Sequence, residues 1–239
     1  MKNIIITGAS SGIGYQTALH LAKMGGNHIF AIARSSERLL ELSEECKKFT
    51  NSKISFFVFD ISNPKIDDLI KSIEKELVVN ENQKIDILIN NAGFLVNKSF
   101  VDTIDEDWNQ TFETNLFAPA RLIRKLIPLF EKKVGSHIVN IGSMGGIQGT
   151  EKFSGLAAYS SSKGALNILT ECLALELKEF NISVNAINPG SVQTEMLGIA
   201  FPGYIASVNA LEMGEYVAHF ALHNHKLMNG RLVEVSLRN

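Results

Sequence analysis

Short apolar runs alternate with amphipathic stretches of helical length along the chain, and this alternation constrains the fold more than any other feature. The runs are Asn3–Ile6, His28–Ala33, Ile54–Phe59, Ile85–Ile89, His137–Ile141, Ser183–Ile187 and Arg231–Val235. Near-continuous apolar runs of this length mark strands buried on both faces. Between them, the spacing predicts helices over Ile13–Lys23, Glu37–Lys48, Ile66–Leu77, Glu106–Phe130 and Leu156–Phe180. Strict β-α-β alternation implies a doubly wound α/β fold, a parallel sheet with helices on both faces. No repeat, low-complexity tract or Pro/Gly/Ser-rich linker interrupts it, so residues 1–239 are expected to form one domain.

Composition narrows the partners. Twenty-three basic residues against 25 acidic ones leave a formal net charge of −2, which favours neither nucleic acid nor an anionic membrane. No stretch reaches the roughly 18 apolar residues that suggest a bilayer span. Cys46 and Cys172 lie far apart, and their sparsity fits a reducing compartment. The N-terminus runs straight into a strand and shows no signal-peptide core. A cytoplasmic enzyme is the expectation.

The first strand ends in Thr7-Gly8-Ala9-Ser10-Ser11-Gly12-Ile13-Gly14, followed by a helical pattern. Glycines there permit a tight turn and let backbone N–H groups and the helix N-terminus approach a pyrophosphate; the bland alternative is a structural turn. The second strand ends in Ala33-Arg34, with no acid until Glu37. An acid there would bind the ribose 2′-hydroxyl of NAD, whereas an arginine can pair with the 2′-phosphate of NADP, so NADP(H) is expected over NAD(H). Arg34 can equally be a solvated strand-end residue. Asp60 and Asn90-Asn91-Ala92-Gly93 also lie at carboxyl ends of strands, where open α/β sheets bind ligands. Asp60 can meet an adenine amino group or cap the helix after Pro64; Asn90 can contact the cofactor or fix a turn.

Tyr159 and Lys163 are four apart at the start of a helical segment, so they share a face. A phenol with pKa ~10 is a poor acid–base group at neutral pH, and a nearby ammonium is expected to lower that value. Ser143 follows the fifth strand and can hydrogen-bond a substrate oxygen; Asn115 sits mid-helix, where an amide needs a reason.

With these residues in place, the chain resembles the short-chain dehydrogenase/reductase family over essentially its whole length. The resemblance rests on the ordered set T-G-x-x-x-G-I-G (Thr7–Gly14), N-N-A-G (Asn90–Gly93), Asn115, Ser143, Y-x-x-x-K (Tyr159–Lys163) and P-G-x-x-x-T (Pro189–Thr194). It implies a Rossmann-type sheet of about seven strands and a catalytic tetrad of Asn115, Ser143, Tyr159 and Lys163. Tyr159 would exchange a proton with the substrate oxygen, Ser143 would polarise it, and Asn115 would help hold a water connecting Lys163 to bulk. The implied cofactor contacts are Gly8, Ser10, Ser11, Gly12, Ile13, Gly14, Arg34, Asp60, Ile61, Asn90, Ala92, Gly93, Tyr159, Lys163, Pro189, Gly190, Val192 and Thr194. The implied substrate contacts are Ser143, Met144, Tyr159 and Leu197. A homodimer or homotetramer built on the long helices is also implied.

Two departures bear on substrate. Ser143 and Tyr159 are sixteen apart, longer than the family's usual spacing, with the extra residues expected in Gly149–Gly155. The irregular segment Ser191–Ala210 is either a lid, shortened here, or a loop packed on the core. Met144, Ile147, Leu197, Phe201 and Tyr204 suggest a partly apolar pocket. Glu215, His219 and His223 have the spacing of metal ligands but read better as a solvated helix end, and no metal is expected. Trp108 reads as a packing residue. The leading function is NADP(H)-dependent reduction of a ketone, aldehyde or 3-oxoacyl carbonyl. The alternatives are an NAD(P)+-dependent alcohol or polyol dehydrogenase and a non-catalytic NADP(H) sensor.

Overall fold

The computed structural model describes residues 1–79 and 84–237. Its first half runs β1 (Lys2–Thr7), α1 (Gly12–Met24), β2 (Asn27–Ala33), α2 (Ser36–Lys47), β3 (Lys53–Val58), α3 (Asp67–Val79) and β4 (Ile87–Asn90). Then come α4 (Asp105–Phe112), α5 (Ala118–Leu126), β5 (Ser136–Ile141), α6 (Ala157–Glu176) and β6 (Ile182–Pro189). The last part holds β7 (Val192–Gln193), α7 (Glu195–Ala200), β8 (Val208–Asn209), α8 (Ala210–His223) and β9 (Leu232–Val235). Seven strands form one sheet in the order β3-β2-β1-β4-β5-β6-β9, and every pairing is parallel. This is the Rossmann-type arrangement that the alternation and the motifs point to.

Successive residues of a strand face opposite sides, so a doubly covered strand is largely apolar, and its buried polar residues must find hydrogen-bond partners. Ile4 and Ile6 join Leu21 of α1, Leu42 of α2 and Val217 of α8 on one face. Ile5 joins Ile73 of α3, Leu122 of α5 and Ala174 of α6 on the other. Burying each such isoleucine or leucine contributes about 1.5–3 kcal/mol. The edge strand β3 is less apolar in its surroundings, leaving Val58 exposed. Gly214 lets α8 lie directly on α1: a methyl there would fall 2.5 Å from Gln16 Cβ and 2.8 Å from Thr17 N.

The expected helix over 106–130 is broken. Between α4 and α5 the backbone widens to a π turn over Glu113–Phe117, with Ala118 N donating to Glu113 O, and a 3-10 turn follows at Ile127–Leu129. Pro119 lacks an N–H, so it cannot supply the ordinary helical bond to the Asn115 carbonyl. The segment 191–210 is packed on the core at its two ends. Its ends pair as β7 and β8 with Val192, Ala206 and Val208 buried, while Ile199, Tyr204 and Ile205 between them are exposed.

A buried histidine predicts how stability responds to acid. The Ala221 carbonyl 2.9 Å from His137 Nδ1 can only accept, and the Asn185 amide lies 3.0 Å from Nε2, which therefore takes the acceptor role. Burial pushes the His137 pKa down to about 4, against roughly 6.5 in an unfolded chain. Between these values the unfolded state binds a proton that the folded state refuses. Stability should therefore fall as pH drops from about 6.5 to 4, by at most ~3 kcal/mol from this residue, and gain no further loss from it below. Denaturation midpoints from pH 7 to 4 check the slope, and the ring NMR signals of His137 should stay neutral above about pH 5; a ring charging near 6.5 would refute the assignment.

Candidate active site

The carboxyl ends of β1, β4, β5 and β6 bring the motif residues together. After β1 the backbone turns through Gly8 (φ 68°) and Gly12 (φ 54°), conformations that favour glycine. A methyl on Gly8 would lie 2.8 Å from Ala92 Cα, and one on Gly14 would overlap the Gly8 carbonyl and the Asn91 amide. Asn91 holds the turn from β4's side, donating from Nδ2 to Thr7 O (3.0 Å) and Gly8 O (3.1 Å). Thr7 Oγ1 accepts from the N–H groups of Asn91 and Ala92, at 3.1 Å each. Thr7 and Asn91 were not among the expected site residues, although both sit inside the two motifs. Ser10 and Ser11 lead into α1, and Ser11 caps it without a side-chain bond.

Arg34 is exposed just beyond β2. Asp60 does not cap the helix after Pro64. Its Oδ1 accepts from Ser62 N at 3.0 Å and Ser62 Oγ at 2.8 Å, a local turn that ends well before α3 begins, while Ile61 is buried. Asn90 likewise fixes no turn: its amide donates across the sheet to Asn140 Oδ1 at 2.8 Å. Its own Oδ1 is buried without a partner.

Asn115 sits in the π turn, fully buried. Its Nδ2 donates to Phe94 O and Ser162 Oγ, both at 2.9 Å, and its Oδ1 accepts from Phe94 N at 2.8 Å. The side chain is thus committed to positioning the segment after β4 and the helix α6. Π turns of this kind recur at functional sites. A methyl on Gly93 would lie 3.5 Å from Asn115 Oδ1, 3.7 Å from Lys163 Nζ and 3.8 Å from Met196 Cε, so these groups converge beside Gly93.

Ser143 follows β5, its N–H donating to Asn188 Oδ1 at 3.0 Å. Its Oγ accepts from Gly145 N at 3.2 Å, and the side chain lies close enough to Tyr159 to favour the phenolate. Lys163 is buried, donates to Ile141 O at 2.7 Å and lies 5.8 Å from the centroid of the Tyr159 ring. Burial pushes the Lys163 pKa down to about 8. The phenol departs from expectation. Burial raises Tyr159 to about 12, with the nearby Ser143 side chain pulling only partly the other way. The lysine ammonium faces a backbone carbonyl and does not offset the burial.

The long Ser143–Tyr159 span leaves this cluster intact because it is anchored before the extra residues begin. The turn Met144–Gly146 packs so closely on α6 that a methyl on Gly146 would fall 2.7 Å from Gly164 N. The remaining residues loop outward. Lys98 N donates to Gly155 O at 3.1 Å, and Asn97 Nδ2 donates to Ala200 O at 2.8 Å, tying the loop to the segment after β4 and that segment to α7. A groove of about 560 Å³ lies beside the cluster, lined by Phe100, Ile147, Lys152, Phe153, Leu156 and Ser160, without Ser143 or Tyr159.

Beyond β6, Pro189 ends the strand and Gly190 N donates to Val235 O at 2.9 Å. A methyl on Gly190 would lie 3.4 Å from Met144 Sδ. Thr194 caps α7 by accepting from Leu197 N at 3.3 Å, and its methyl comes within 3.3 Å of where a Cβ on Gly12 would be. Val192 is buried beneath, and Leu197 is partly exposed on α7. The other residues singled out lie apart. Glu215 reaches His20 on α1 at 3.6 Å, and His219 and His223 stack at 5.8 Å. Trp108 packs against Phe100 and Phe112.

Comparison with known proteins agrees with this geometry. An NADP-dependent 3-hydroxy acid dehydrogenase of Schizosaccharomyces pombe is 33% identical over 204 residues, 84% of this chain and 76% of that protein. A 2,3-dihydro-2,3-dihydroxybenzoate dehydrogenase of Bacillus subtilis is 36% identical over 82% of this chain and 71% of that protein. The crystal structure of L-sorbose reductase from Gluconobacter frateurii, in complex with NADPH and L-sorbose, superimposes with a TM-score of 0.84 at 27% identity, covering 98% and 95% of the two chains. The family description "short chain dehydrogenase" matches residues 2–203. With that match laid over the parallel sheet and the glycine turn at its centre, the chain belongs to the short-chain dehydrogenase/reductase family of oxidoreductases.

Proposed function

We propose that the chain is an NADP(H)-dependent reductase of ketone, aldehyde or 3-oxoacyl carbonyls, with Tyr159 as the proton donor. The observation that carries this reading is the convergence of Asn115 and the buried Lys163 ammonium beside Gly93, with the Tyr159 ring 5.8 Å from that ammonium and Ser143 beside the phenol. The tight turn through Gly8, Gly12 and Gly14, whose packing and positive φ at Gly8 and Gly12 exclude side chains, leaves backbone N–H groups to meet a dinucleotide pyrophosphate, and the names of the relatives that use NADP or NADPH support the choice. The bound cofactor supplies the hydride. Gly8, Ser10, Ser11, Gly12, Ile13 and Gly14 would hold its phosphates, Arg34 its 2′-phosphate, and Asp60, Ile61, Asn90, Ala92 and Gly93 the adenosine side and its connection. Pro189, Gly190, Val192 and Thr194 would flank the nicotinamide, with Lys163 at the adjoining ribose.

Ser143 orients the substrate oxygen and Tyr159 gives it a proton. A phenol pushed up to about 12 by burial enters the reductive step protonated. Asn115 is a positioning residue that would help hold a water linking Lys163 to bulk. Met144 and Leu197 border the substrate. The reaction is placed in the cytoplasm. A homodimer or homotetramer would cover Phe117, Ile168 and Leu175, which are exposed on the long helices.

NADPH and NADH oxidation across a panel of carbonyl substrates tests the activity. Arg34→Asp tests the cofactor reading: losing a charge-assisted bond to the 2′-phosphate should weaken NADPH binding about 10- to 100-fold. NADH binding should change little, and an unchanged preference would show that Arg34 does not read the phosphate.

A further inference from the structure

One ion pair joins parts of the fold that the sheet keeps apart. Arg38 lies in the first turn of α2, after β2, and Glu195 opens α7, after β6. In the sheet these two strands are separated by β1, β4 and β5. Yet Arg38 Nη1 and Nη2 donate to the two Glu195 carboxylate oxygens at 2.6 and 3.3 Å. The guanidinium holds the carboxyl below its ordinary range. The pair therefore passes over the carboxyl ends of the intervening strands, the place where open α/β sheets bind their ligand. Beneath it the neighbouring Thr194 meets the glycine turn at Gly12. Thr194, by capping α7, also sets the direction in which Glu195 leaves the chain.

We propose that Arg38 and Glu195 form a latch that closes the segment 191–210 over the bound dinucleotide and slows its release. This rests on the cofactor reading above but concerns a different property, retention rather than recognition. Arg34, exposed at the end of β2, remains the group that would meet the 2′-phosphate. Arg38, one turn further on, is engaged by its carboxylate partner. Because the latch grips the protein and not the phosphate, it acts alike on NADPH and NADH. Both side chains are about half exposed, 47% and 53%, so the pair is readily opened and screened by salt.

The test measures dissociation of NADPH and of NADH by stopped-flow fluorescence in the full-length protein. An exposed ion pair of this kind should give about a two- to five-fold faster release of both cofactors in Arg38→Gln and in Glu195→Gln. The double variant should add nothing further, and the charge swap Arg38→Glu with Glu195→Arg should restore slow release. The effect should vanish in high salt. In the cofactor-free protein, limited proteolysis within 191–210 should be faster in both single variants. Unchanged release rates with intact binding would overturn the latch alone. So would a change confined to NADPH and to Arg38→Gln, which would make Arg38 a phosphate ligand. A wild-type protein that binds neither dinucleotide would overturn the functional reading, and the latch with it.

Discussion

Tyr159→Phe is expected to lower turnover about 10²- to 10⁴-fold while leaving dinucleotide binding within about two-fold of wild type. The substitution removes one hydroxyl and keeps the ring that lies 5.8 Å from Lys163 Nζ, so the fold and the lysine's bond to Ile141 should persist. What disappears is the phenol proton beside Ser143. Ser143 can still bond a substrate oxygen but has no reason to release a proton at neutral pH, so polarisation survives and proton transfer does not. Turnover is read by steady-state kinetics and binding by cofactor fluorescence on the same preparation. A variant as active as wild type would remove Tyr159 from the mechanism.

Gly14→Ala should have the second-largest effect, and on two quantities at once. The added methyl would occupy space held by the Gly8 carbonyl and the Asn91 amide. Gly8 is backbone, and Asn91 cannot withdraw without losing its bonds to Thr7 O and Gly8 O. Overpacking at such a site costs about 1–3 kcal/mol. For a chain of this size that lowers the melting temperature by very roughly 2–10 °C. The turn whose N–H groups would face the pyrophosphate must open as well, so dinucleotide binding should weaken at least about ten-fold, the loss of roughly one charge-assisted hydrogen bond. Gly198→Ala is the control, since nothing lies within 4 Å of a methyl there. Equal melting temperatures and affinities for the two variants would show that Gly14 is not a packing constraint.

Much of this could be read along the chain. A strand covered on both faces is largely apolar, so the seven runs were visible as composition alone, and all seven entered the sheet. The glycine turn was legible because its close approaches exclude side chains, which leaves glycines at fixed positions. Tyr159 and Lys163 share a face because helical period places them so. Local hydrogen-bond chemistry, by contrast, misled. Asp60 does not cap the next helix and Asn90 fixes no turn, since a short polar side chain takes whichever partner the folded neighbours bring within reach. The π turn had a signal, Pro119 within an otherwise helical pattern, but its form depends on Phe94 and Ser162 holding Asn115 from two other segments.

Fold and motif placement therefore followed from periodicity and from steric exclusion, which act between near neighbours and leave a trace in residue order. Electrostatics and long-range pairing did not. The direction of the Tyr159 shift depends on how much water the assembled protein removes from the phenol, and on Lys163 turning to Ile141 instead. The Arg38–Glu195 pair joins residues 157 positions apart. Neither has a local cause, because desolvation and through-space contact exist only once distant segments have closed around them.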